Sequence, residues 1–360
     1  MESKIGINIE GRMEIRELLE MCIQRKASDL HLTEKEPPIL RIDGKLTRLS
    51  LSKLSNDDLK RMIYGVLTNP QKELFEKNLE LDFSLALPGL DRFRVNIHVQ
   101  KGCVEAAMRR VPLTIPSIGE LGLPPILLDL ARKPNGLVLV TGPTGVGKTT
   151  TLAAVIDLIN SERESLIIAI EDPIEFIFSN KKSIIKQREV YSDTRSFAEA
   201  LRHALRQDPN VIVVGEMRDL ETISTTLTAA ETGHLVLATL HTPDAPQTIE
   251  RIIDVFPPHQ QQQVRLQLAD CLQAVCSQLL LPRASGVGRI LSTEIMVATP
   301  GIRNLIRESE IEQIPTLMQT GSQFGMKTMD KCLKELFQQG HISMDVALAK
   351  VKNPEEFKQL

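Results

Sequence analysis

The chain has 360 residues, 42% hydrophobic and 25% charged, enough for two domains with real cores in a soluble protein. Aromatics make up only 3% with no Trp, and the formal net charge is −3. The cores must therefore be aliphatic, and the stacking platforms and positive charge of a nucleic-acid binder are lacking, so no nucleic-acid partner is expected. Cys22, Cys103, Cys271, Cys276 and Cys332 contain no C-x-x-C pair, which speaks against zinc and for isolated buried thiols in a reducing compartment. The first residues carry no apolar leader core and no later run approaches a membrane span, so the expectation is a cytoplasmic protein that reaches a membrane only through a partner.

In chain order, "MEIRELLEMCIQRKAS" places Ile15, Leu18, Leu19 and Cys22 on one side of a helix. "PPILRIDGKLTRLS" alternates around an Asp43-Gly44 turn and predicts a hairpin, and "SNDDLKRMIYGVLT" predicts a capped helix. "LDFSLALPGLDRFRVNIHVQKGCVEAAMRRV" predicts three strands, broken at Pro88-Gly89 and Lys101-Gly102. These give a small α+β domain over 1–111. Residues 112–125, "PLTIPSIGELGLPP", are dense in Pro and Gly and read as a linker.

From 126 the pattern changes. Apolar strands "GLVLVTG", "SLIIAIED", "VIVVGE" and "HLVLATLH" alternate with helices starting near Lys148, Ser196, Asp219 and Asp244. The class is α/β, with a parallel sheet flanked by helices. The rest, about 258–360, reads as mainly helical, with a short strand pair around "RILSTEIMV".

"GPTGVGKTTT" carries the strongest chemical signal. Gly142, Pro143, Thr144, Gly145, Val146, Gly147, Lys148 and Thr149 fit a P-loop between a strand and a helix, with Thr150 next in the helix. Its glycines let backbone N–H groups curl round phosphates, Lys148 would reach the β- and γ-phosphates, and Thr149 would ligate Mg²⁺. A guanine site would usually carry N-K-x-D. The nearest run, Asn180-Lys181-Lys182-Ser183, lacks the acid, so ATP is favoured.

Strand ends of a parallel sheet share the P-loop edge. Glu171, at the end of "SLIIAIE", is there either a general base for water or part of a surface Asp-Pro turn. Glu216, set back by Gly215 in "VIVVGEMRD", could hold a metal-bound water, while Arg218 and Asp219 read equally as a solvated ion pair. In "TGHLVLATLHT", His241 at the strand's far end is a candidate γ-phosphate sensor. His234, at its start, is as readily structural.

In this order the P-loop, "IEDPIE", "VGEMRD" and "TGHLVLATLHT" resemble the secretion ATPases of type II secretion and type IV pili. "ASDLHL", "RFRVN" and "QDPNVIVVGEMRD" extend the resemblance over nearly the whole chain. It implies a RecA-like core behind a PAS-like first domain, with Glu171 as catalytic carboxylate, Glu216 as Walker B acid, and His234 and His241 as the His box. It also implies that Arg92, Arg94 and Arg110 lie in the stretch that supplies arginines to nucleotide phosphates, Arg94 and Arg110 ahead of Arg92; their other reading is edge-strand charge.

"GIRNLIRE" (301–308) is similar to the signature of the pilus-retraction branch, with Gly301 where that signature has Ala, and could also be a plain amphipathic core helix. "FGMKTMDKCLKELFQQGHIS" resembles the same branch, with Phe324, Met326, Met329, Leu333 and Leu336 expected in the core. The resemblance implies a homohexameric motor using ATP and Mg²⁺ at the cytoplasmic face of the inner membrane. Its partners would be a pilus platform protein and, in some cases, a paralogous retraction ATPase. The competing readings are an extension or secretion ATPase of the same family and an accessory ring that binds ATP but depends on a partner motor.

Overall fold

The computed structural model describes residues 14–42, 44–87, 89–111, 114–352, 354 and 357. Asp43 and Pro88 of the expected turns, and 112–113 of the expected linker, lie outside the described residues. The chain divides into two compact units, 1–114 and 115–360. Among the described residues, no helix is long and apolar enough to cross a membrane.

The first unit runs α1 (Ile15–Gln24), β1 (Asp29–Leu32), β2 (Ile39–Ile42), β3 (Lys45–Arg48), α2 (Asn56–Val66), α3 (Asn69–Asn78), β4 (Glu80–Ala86), β5 (Arg92–Gln100) and β6 (Cys103–Val111). Its strands form one antiparallel sheet in the order β3-β2-β1-β6-β5-β4. The 3.6-residue spacing of α1 buries Ile15, Leu18, Leu19 and Cys22. Two elements exceed the sequence reading. β1, only four residues long, forms from "DLHL", and α3 starts on Thr68, whose capping box with Gln71 precedes a mostly polar helix.

The second unit runs α4 (Ile126–Ala131), β7 (Gly136–Thr141), α5 (Lys148–Glu162), β8 (Leu166–Glu171), β9 (Ile184–Glu189), α6 (Phe197–Ala204), β10 (Val211–Val214), α7 (Leu220–Glu231), β11 (Leu235–Leu240), α8 (Ala245–Asp254), α9 (Pro258–Cys271), β12 (Leu272–Pro282), β13 (Arg289–Val297), α10 (Pro300–Glu308), α11 (Ile314–Thr320), α12 (Met329–Gln338) and α13 (Met344–Leu348). Side chains of Ser196, Asp219 and Asp244 accept backbone N–H groups at the starts of α6, α7 and α8, as their residue types predict.

The sheet order is β13-β12-β7-β11-β10-β8-β9. All neighbours pair in parallel except β13, which runs antiparallel to β12 and makes the sheet mixed. Alternate residues of the central strands enter two aliphatic layers. Leu137, Leu139, Ile168, Ile170, Ile212 and Val214 face one, while Val138, Val140, Ile167, Ala169, Val211 and Val213 face the other. Within 112–125, Ile118 and Leu123 are buried in this second layer.

Two strands depart from the expectation. β12 is the antiparallel partner of β13 in the expected strand pair, but at eleven residues it runs back into the stretch read as helix and joins the main sheet beside β7. Buried on both faces, it lacks the alternation that marks a strand in sequence. β9, "IIKQRE", is an edge strand whose charge hides its period.

Candidate active site

β7 runs directly into the glycine-rich turn and α5 leaves it. Gly142, Gly145 and Gly147 have φ of 135°, 83° and 90°, a region that residues with a Cβ avoid. Gly142 has a second reason to be glycine, since a Cβ there would lie 2.4 Å from the Gln278 carbonyl oxygen on β12. α5 has neither a side-chain cap nor an acid in its first turn, which leaves its N–H groups and positive dipole end for an anion. Pro143 and Thr144 are exposed, Val146 is buried, and Thr149 and Thr150 are half-buried in the first helical turn.

Lys148 is buried and donates to the carbonyls of Gly142 at 2.7 Å and Pro143 at 3.1 Å. Burial holds its ammonium below the usual lysine pKa, against the opposing charges of Glu216 and Glu175. Its Nζ also lies 3.4 Å from His241 Nδ1, which is 3.5 Å from Thr144 Oγ1. An ammonium only donates, so Nδ1 accepts and the ring proton sits on Nε2, 3.3 Å from Glu216 Oε2. His241 therefore links the P-loop lysine to the carboxylate beyond β10.

Glu216 also accepts from Arg218 at 2.7 Å. The suggested Arg218–Asp219 pair does not form. Asp219 instead caps α7, accepting from Thr222 N at 2.9 Å and Thr222 Oγ1 at 2.7 Å. The glycine before Glu216 has a packing cause, because a Cβ on Gly215 would press to 3.2 Å from the Glu171 Cα and the Ile170 carbonyl oxygen. Thr239 Oγ1 fixes this turn by donating to the Gly215 carbonyl.

Glu171 ends β8 on the same edge, one strand beyond β10, in register with Glu189 of β9. It is 8% exposed. Burial pushes its carboxyl up to about 7. A hydrogen bond from Gln187 and the Glu175 backbone N–H pull the other way, and the charges of Glu175 and Glu189 add to the rise.

His234 is not brought to this edge. It precedes β11, so the length of that strand, roughly 20 Å, separates it from His241. Its Nδ1 faces the Ala229 carbonyl at 2.9 Å and Thr232 Oγ1 at 3.3 Å, at the end of α7. Three further residues contribute without being singled out in the sequence: Gln187, Gln278 and Thr239. The two glutamines lie on β9 and β12, the strands that depart from the expectation.

The loop fits a triphosphate. Its ammonium rests on its own loop carbonyls, which phosphate oxygens would replace, and the helix end above it is uncapped.

Residues 12–344 match the family model described as Type II/IV secretion system protein. The chain belongs to this family. It is 48% identical over 345 residues to the type IV pilus retraction ATPase PilT of Pseudomonas aeruginosa, covering 96% of this chain and 100% of that one. It is also 48% identical over 318 residues to a twitching motility protein of Neisseria gonorrhoeae, covering 88% and 85% respectively. Among solved structures, the pilus retraction motor PilT with bound ADP aligns with a TM-score of 0.91 at 47% identity, covering 97% of this chain and 100% of the other. This secretion-family chain is an ATPase.

In this secretion ATPase, the first-unit arginines differ in setting. Arg94 pairs in register with Arg109, and Arg110 pairs with Phe93, so Arg94 and Arg110 point to opposite faces of the sheet. Arg94 is exposed, whereas Arg110 is ion-paired to Asp91. Arg92 lies on the Arg94 face and is half-buried.

In α10, Ile302, Leu305 and Ile306 are buried, as the amphipathic stripe requires. Arg303 and Arg307 add a role in packing. Arg303 donates to the carbonyls of Ala298 at 2.9 Å, Asp270 at 2.7 Å, and Ala269, while Arg307 meets Asp270 Oδ1 at 2.6 Å. Together they satisfy the C-terminal end of α9. Met326, Met329 and Leu333 are buried and Leu336 partly so, but Phe324 is 50% exposed, against expectation. The turn at Gly325, with φ 78°, packs against Ile126 and leaves Phe324 outside.

Proposed function

We propose that this ATPase is the motor of type IV pilus retraction, acting as a homohexameric ring at the cytoplasmic face of an inner-membrane platform protein. The observation that carries the chemical part is the line Lys148–His241–Glu216, with Glu171 buried on the same sheet edge. Water attacks the terminal phosphorus of ATP, the bond to ADP breaks, and Glu171 takes the proton. A carboxylate titrating near 7 suits this at cellular pH.

Three strand spacings, about 14 Å, separate the β7 and β8 backbones. The Glu171 side chain, the water and the phosphoryl group would fill that span. Lys148 would leave its carbonyls for the phosphates, and His241, bonded to both Lys148 and Glu216, would register that shift. Thr149 and Glu216, the latter through water, would hold Mg²⁺ with the nucleotide, where the ion neutralises phosphate charge. His234 has no part in the chemistry. Arg94, exposed and not taken up by Asp91, is a better candidate than Arg110 for contact with phosphate.

The test has two arms. Glu171→Gln should cut turnover of purified protein 10²- to 10⁴-fold with ATP binding retained; normal turnover would remove the base from this account. A strain without the protein should keep abundant pili that do not shorten. Absent pili would point to the extension branch.

A further inference from the structure

We propose that Gln187, on the edge strand β9, is the positioning residue for Glu171, fixing the carboxylate and keeping it ready to accept a proton. The proposal rests on Glu171 being the base. The Gln187 amide is used at both ends. Nε2 donates to Glu171 Oε1 at 3.1 Å and to the Phe176 carbonyl at 2.7 Å, while Oε1 accepts from Phe178 N at 3.1 Å. Flipping the amide would set an oxygen against a carboxylate and a carbonyl, and an NH₂ against an N–H, so only one orientation works. Two residues along β9, and so on the same face, Glu189 accepts from Ile174 N at 3.1 Å. The loop that follows the catalytic carboxylate is thus pinned to an edge strand by two alternate side chains.

The electrostatics require such a donor. The groups acting on Glu171 are Gln187 and Glu189 from β9, and Glu175 with its backbone N–H from the following loop. From the other side, Gly215 of the β10 edge presents only backbone. Both charged neighbours are anions and disfavour the ionised base, and the side chain that favours it is Gln187. Removing the Gln187 N–H donor therefore raises the pH at which Glu171 becomes a base.

The experiment is the pH profile of kcat for wild type, Gln187→Met, Gln187→Glu and Glu171→Gln, each with its KM for ATP. Gln187→Glu keeps the acceptor for Phe178 N but exchanges the donor for a like charge beside Glu171, so it serves as a second variant with a larger expected shift should the Met variant fail to fold. In Gln187→Met the acidic limb should move up by about one pH unit, and turnover at pH 7 should fall about fivefold; in Gln187→Glu, which sets a third anion beside Glu171, the limb should move further, with KM and the alkaline plateau unchanged in both. A lowered plateau with the limb in place would mean that Gln187 serves only the fold, and would overturn the proposal. If Glu171→Gln itself retains turnover, the base assignment fails, which is a separate outcome from a limb that does not move.

Discussion

The two ends of the second unit's sheet carry similar residue types and use them differently. At the C-terminal edge His241 touches Lys148, Thr144 and Glu216, whereas at the opposite edge His234 touches a helix carbonyl and Thr232. Arginines divide in the same way: Arg218 pairs with Glu216 at the phosphate edge, while Arg303 satisfies the end of α9, just before β12 begins. The polar groups at the C-terminal edge are joined into one line around an uncapped helix. Those at the far edge each close a local backbone deficit. The same side-chain type meets the P-loop or closes a backbone deficit according to which end of a parallel strand it occupies.

The largest expected effect that would test this contrast is in the histidine pair. His241→Ala should lower turnover roughly tenfold to a hundredfold, the worth of hydrogen bonds to charged partners, with little change in melting temperature. His234→Ala should leave turnover within about twofold and cost about 1 kcal/mol of stability. Equal losses of turnover from both variants would erase the distinction.

Arg303→Ala comes next. It should destabilise by about 2 kcal/mol, seen as a fall in Tm of about 5 °C, because carbonyls at the end of α9 lose their donor. Hydrolysis by the variant that stays folded should be near wild type. A turnover loss without a Tm change would move this helix to the chemical side.

Gly301→Ala should have the smallest effect. A Cβ there would lie 3.2 Å from Leu317 Cδ1, the end of a flexible side chain. Its crowding offsets the helix gain of up to about 1 kcal/mol. The net shift in thermal unfolding should stay within about 0.5 kcal/mol.

Much of this was legible in the chain. The P-loop, the strand ends at Glu171, Glu216 and His241, and the caps at Ser196, Asp219 and Asp244 are local patterns, each governed by residues a few positions apart. β9 was not legible, nor were the length of β12 and its place beside β7, because a polar edge strand and a strand buried on both faces both lack the period-2 alternation of a half-buried one. With them went Gln187 and Gln278, whose partners Glu171 and Thr151 lie 16 and 127 positions away. Phe324 stays outside for a related reason, since hydrophobicity says that a side chain favours burial but not that a turn will allow it.

By itself, then, the sequence determined which residues can bind phosphate, accept a proton or cap a helix, since those capacities belong to side-chain type and local spacing. Only the tertiary structure decided which of them meet. Strand order placed His241 between Lys148 and Glu216, and strand direction sent His234 to the other end of the sheet. Burial, a property of the whole layer and not of any segment, raised Glu171 toward neutrality.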